Sequence, residues 1–85
     1  AHERNTDETG AGEIGGFTDR LVLASLLTEK GESREAIYLL EKLIAARTER
    51  TEALLTTAYF ALGEAYQKDG NPEAAKKAWN EAVKR

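Results

Sequence analysis

From Phe17 onward the apolar residues return at three- and four-residue steps, the period of an α-helix and not the alternation of a strand. Leu21, Val22, Ala24, Leu26 and Leu27, together with Ser25, make a broad apolar face, and Gly31 follows as a left-handed stop. Ser33 is suited to cap a second helix, and Glu35 sits in its first turn, where the helix dipole favours an acid. Ala36, Ile37, Leu40, Leu43 and Ile44 then repeat along one side. Ala45 to Glu52 contains neither Gly nor Pro, so the break there is assigned to Thr48 or Thr51 acting as a cap. A third helix is predicted to run to Asp69 with Leu54, Leu55, Ala58, Tyr59, Leu62, Ala65 and Tyr66 on one side, and to end at Gly70. Asn71 caps a fourth, with Pro72 at its first position, where a missing amide costs nothing. Ala75, Ala78, Trp79, Ala82 and Val83 form its expected buried stripe. Glu64 with Lys68, Glu73 with Lys77 and Glu81 with Arg85 have the acid-before-base spacing that supports exposed helix faces.

Residues 1–16 lack this period. The stretch holds four glycines, no aromatic and one large aliphatic, Ile14, too little apolar surface to offset the entropy of ordering, so a flexible acidic tail is expected. Gly10, Gly12 and Gly15 spell the glycine pattern that cradles a pyrophosphate in dinucleotide-binding units. That chemistry requires a preceding strand and a βαβ unit, and neither is signalled. The glycines are read as linker.

Composition narrows the classes. Eighty-five residues allow one domain with a modest core. No apolar run approaches the roughly 20 residues of a bilayer span, so membrane insertion is not expected. The chain has no cysteine, which removes disulfides, thiol nucleophiles and thiolate metal sites. The net charge is −3, and residues 1–16 carry all of it, with four acids against Arg4 alone. The other residues balance eleven bases against eleven acids without a basic cluster, which argues against nucleic acid as a partner. The single histidine, His2, lies in the tail, so the commonest base for a hydroxyl nucleophile is missing from the helical part. Glu49 and Glu52 interleave with arginines and read as surface charge instead of a metal or acid/base pair. No catalytic, cofactor or metal site is assigned. The compartment stays open, with the cytoplasm slightly favoured. Because the chain contains no methionine, its natural start is expected upstream or trimmed.

The two halves align on each other at an offset of 39 residues: Gly31 to Ala36 falls over Gly70 to Ala75, with glycine, cap and alanine in phase. Leu62, Gly63 and Tyr66, then Gly70, Ala75, Trp79 and Ala82, resemble the signature of the tetratricopeptide repeat. The resemblance implies an all-α fold of two antiparallel helix hairpins stacked as a short right-handed solenoid, repeat 1 at about 17–50 and repeat 2 at about 51–85. It places Ala24, Ala36, Leu62, Gly63, Tyr66, Ala75, Trp79 and Ala82 at repeat-packing positions, with Tyr59 where the family usually has tryptophan. In the first repeat Leu23-Ala24 stands for the Leu-Gly pair, Leu27 for the tyrosine, Leu40 for the aromatic and Leu43 for the small residue. The 39-residue offset exceeds the family's usual length, as in the extended repeats of kinesin light chains.

In that family the first helix of each repeat lines a concave groove that receives a peptide or protein segment. The matching positions here are Thr18, Leu21, Ser25 and Thr28 in the first repeat, and Thr57, Phe60, Ala61, Glu64 and Gln67 in the second. Chaperone-binding members hold a carboxylate with basic and amide side chains, but Leu21, Ser25 and Ala61 occupy those positions, so that ligand class is rejected. Phe60 is either an exposed aromatic anchor or a packing residue against the first hairpin. Trp79, among alanines at helical spacing, is read as core. The resemblance thus implies a non-catalytic adaptor or scaffold whose partner is another protein or peptide. The alternative is a self-assembling module, a homodimer joined through the flank of the last helix at Val83, or a fragment of a longer repeat array.

Overall fold

The structure, a computed structural model, describes residues 11–85. Four α-helices follow one another: α1 (Ala11–Glu29), α2 (Ser33–Ala45), α3 (Leu55–Lys68) and α4 (Pro72–Lys84), with a 3-10 helix, Glu49–Leu54, between α2 and α3. No strand occurs among the described residues, and the fold is all-α, two helix hairpins joined by the 3-10 segment.

The hairpin turns are built alike. Gly31 has φ of 91° and Gly70 has φ of 83°, a region in which a Cβ would be strained. In the first turn the Glu32 amide donates to the Leu27 carbonyl at 2.8 Å and the Gly31 amide to that of Thr28 at 3.1 Å. In the second, Asn71 donates to Tyr66 at 2.9 Å and Gly70 to Gln67 at 3.0 Å. Both pairs satisfy carbonyls that the last helical turn leaves open. Asn71 then caps α4, its Oδ1 accepting from the Ala74 amide at 3.3 Å. Ser33 does not cap α2 as expected. It lies inside the helix and is buried, while Glu32 occupies the cap position without a side-chain bond. The break after α2 uses both expected threonines: the Thr48 amide donates to Thr51 Oγ1 at 2.9 Å, and that hydroxyl donates to the Thr48 carbonyl at 3.3 Å.

One core joins the hairpins. α1 packs against α2 and α3, α2 against α3, and α4 against α3 alone, so α3 is the central helix. Leu40 of α2 and Leu55 of α3 are fully enclosed, each worth about 1.5–3 kcal/mol of burial. The described residues extend 44 × 28 × 15 Å, thin enough that every helix keeps an outward face.

Three expectations are corrected. α1 begins at Ala11 and not at Phe17, so its first turns take in residues assigned to the tail; residues 1–10 of that tail lie outside the described residues. Glu13 helps hold this extension, its Oε1 accepting from the Thr48 hydroxyl at 3.2 Å and lying 3.7 Å from Arg50 Nε. The apolar face of α1 is also not one face. Phe17, Leu21, Ala24 and Thr28 are buried, whereas Val22, Leu23 and Leu26 are 54%, 48% and 52% exposed. On α4 the buried stripe is Ala75, Ala78 and Ala82; Trp79 is half-buried, and Val83 stands 72% exposed.

Candidate functional site

The outward face of α3 is where the predicted interaction residues gather. Thr57, Phe60, Glu64 and Gln67 recur at three- and four-residue steps and are all exposed, with Ala61 half-buried beside them. Phe60 is 48% exposed, so it is not consumed by packing against the first hairpin. The face exists because α3 spends its other sides on neighbours. Leu55, Ala58, Leu62, Gly63 and Ala65 are buried among the elements around it, and Tyr59 and Tyr66 are half-buried at their margin.

The close fit of α4 supports this central helix. A methyl group placed on Gly63 would overlap the indole of Trp79, so the ring lies directly over the glycine backbone. Ala75 and Ala82 bring α4 near enough for that contact, and both are buried. Arg85, which follows α4, reaches back over α3 to the 3-10 helix. Its guanidinium sits 5.2 Å from the centre of the Tyr59 ring and 3.3 Å from Glu52 Oε2. Arg85 therefore does not form the expected pair with Glu81, which pairs instead with Lys84 at 3.3 Å.

Tyr66, seven residues after Tyr59 and on the same side of α3, joins the hairpins by donating its hydroxyl hydrogen to Glu41 of α2. That bond, with partial burial and the neighbouring negative charge, pushes the Tyr66 pKa up to about 12 from an ordinary 10.0. The phenol, held protonated, ties α3 to α2.

The first-hairpin residues assigned to the groove do not all arrive there. Ser25 and Thr18 are exposed, but Leu21 is 7% and Thr28 3% exposed. Both belong to the α1 stripe that faces the core, and the Thr28 hydroxyl is spent on the Ala24 carbonyl at 2.9 Å. Leu21 and Thr28 are accordingly removed from the candidate surface. Ala24, Ala36 and Leu62 are buried with the packing set.

Sequence reasoning missed two features. The short polar link from Glu13 to Thr48 and Arg50 had no signal beyond an acid in a glycine-rich stretch. A cleft of about 480 Å³ lies beside it, lined by Phe17, Arg20, Leu39, Lys42 and Leu43 among others. The paired stripes on α1 did have a signal, since the apolar run from Leu21 to Leu27 is wider than one helix face can bury. Among the described residues no group of His, Cys, Asp or Glu is placed to hold a metal ion, and no helix is long and apolar enough to cross a membrane.

No curated protein and no solved structure matches the chain. Residues 56–85, which cover α4 and all of α3 but its first residue, match the tetratricopeptide repeat. The second hairpin is thus similar to the tetratricopeptide repeat, which generally serves as a protein–protein interaction module and whose family is typically non-catalytic.

Proposed function

We propose that the chain is an adaptor or scaffold that docks a peptide or protein segment on the outward face of α3, with Phe60 as the anchor. The observation that carries this reading is the half-exposed Phe60 ring at the centre of a face otherwise built from Thr57, Glu64 and Gln67. An aromatic group with a polar rim matches the anatomy of binding hot spots, where a few large side chains supply most of the affinity. Glu64 gives the face a negative charge, and Thr57 and Gln67 supply hydrogen-bonding groups of both kinds. Ser25 and Thr18 extend the surface toward α1, which packs against α3.

The first hairpin is read as a divergent repeat of the same kind. Support comes from the matching glycine turns and from Ala36, Leu40 and Leu43 of α2, buried at the spacing of Ala75, Trp79 and Ala82 in α4.

The test is a peptide-display selection on the folded chain, followed by affinity measurement on Phe60→Ala. Binding should weaken at least about tenfold, near the 1–2 kcal/mol expected of an anchor, while the thermal midpoint shifts by no more than about 2 °C. Selected peptides that bind Phe60→Ala as tightly as the original chain would place the site elsewhere.

A further inference from the structure

α1 carries two four-residue sets with identical spacing. Phe17, Leu21, Ala24 and Thr28 are buried; Asp19, Leu23, Leu26 and Lys30 are exposed. Each member of the second set lies two residues after its counterpart in the first. Two residues turn an α-helix by about 200°, so the exposed set lies on the side directly away from the core. Val22 widens it. Lys30 keeps the helical register although α1 formally ends at Glu29, because its amide donates to the Leu26 carbonyl at 3.0 Å. No described helix covers this stripe: α2, α3 and the 3-10 helix are the neighbours of α1, and they take the buried side.

We infer that this stripe is a docking surface for a second copy of the chain, paired through α1 in antiparallel fashion about a two-fold axis. The charge pattern selects that occupant. Asp19 and Lys30 bracket the stripe at opposite ends, and their midpoint in sequence coincides with the midpoint of Leu23 and Leu26. A two-fold axis through that point sets Asp19 against Lys30 of the second copy, and Leu23 against its Leu26, each twice by symmetry. A parallel pairing would oppose Asp19 to Asp19 and Lys30 to Lys30. The other end of the molecule offers no comparable surface. The outward side of α4 carries Lys76, Lys77, Asn80 and Lys84 around the single apolar Val83, a polar end of the kind that keeps a helical stack soluble. The contact leaves the α3 face itself free, and only Thr18 and Ser25, at the margin of the docking surface, share a helix with it.

The patch is small, so a weak dimer is expected, assembling between about 10 μM and about 1 mM. Sedimentation velocity on the 85-residue chain over that range, with helical circular dichroism on the same samples, should show a monomer converting to a dimer. Leu26→Glu should abolish the dimer without loss of helicity, since Leu26 is already half in water. Asp19→Lys and Lys30→Asp should each weaken assembly about tenfold, and the two together should restore it to within about threefold. The double reversal makes the test independent of any general loss of stability. A monomer at every concentration would overturn the proposal and leave the stripe to another chain. Single reversals without effect, a double reversal without recovery, or a dimer broken by Val83→Glu and not by Leu26→Glu would each overturn it as well.

Discussion

Gly63 is the residue at which chain chemistry and packing meet most tightly. In an exposed helix, replacing glycine by alanine stabilises by about 1 kcal/mol. Here the added methyl would run into the Trp79 indole, and the clash must be relieved by moving a half-buried ring that helps hold α4. Overpacking of this kind costs about 1–3 kcal/mol, so it outweighs the helix-forming gain. Gly63→Ala is expected to lower stability by up to about 2 kcal/mol net of the two effects, measured by urea unfolding. A variant as stable as the original would mean that the indole slides aside freely. Tyr66 makes a second residue-scale prediction. Its pKa is raised on folding, from 10.0 to about 12, so the folded state prefers the protonated phenol. Below pH 10 the contribution is present in full. Between pH 10 and 12 the unfolded chain loses the proton first and stability falls, and above pH 12 the contribution is gone. Tyr66→Phe should flatten the unfolding profile in that window, and at neutral pH should cost about 0.5–1.5 kcal/mol for the bond to Glu41.

Among the elements, α4 depends most on its own ends. It packs against α3 alone, so its first turn relies on Asn71, whose side chain accepts from the Ala74 amide. Asn71→Ala is expected to destabilise by about 0.5–2 kcal/mol, and hydrogen exchange should localise the loss to α4 before the other helices open. Unchanged exchange there would show that the cap contributes nothing. The cap was legible in the sequence because Asn-Pro-Glu after a glycine is strong local chemistry, and the two glycine turns were legible for the same reason. The start of α1 was not. Gly12, Gly15 and Gly16 mask helical intent, and the extension is supported by distant partners, Thr48 and Arg50, which local propensity does not reveal. Periodicity found the buried side of α3, at Leu55, Ala58, Leu62 and Ala65, but misjudged α1. Leu21 through Leu27 contains enough apolar residues for two faces, and only packing decides that Leu21 turns inward while Leu23 and Leu26 turn out. The repeat alignment placed Ala24 under Gly63, yet Leu23 is exposed where Leu62 is buried. The rotation of α1 therefore differs from that of α3, and this removed Leu21 and Thr28 from the predicted groove.

At the scale of the whole molecule, two hairpins share one thin core whose central element is α3. The same helix that buries Leu55, Ala58 and Leu62 presents Phe60 outward, so in the proposed adaptor stability and recognition use opposite sides of one rod. Tyr66 on Glu41 and Arg34 near Asp69 at 3.5 Å tie the hairpins at their margins, the second a surface pair worth little by itself, while Arg85 over Tyr59 ties the end of α4 to α3 within the second hairpin. The most direct check is an NMR titration of the isotope-labelled chain with a peptide selected on it, followed amide by amide. The largest shifts are expected at Thr57, Phe60, Glu64 and Gln67, with smaller ones at Thr18 and Ser25. Shifts concentrated on α4, or along Val22, Leu23 and Leu26 of α1 with Phe60 unmoved, would contradict the assignment of α3 as the docking face.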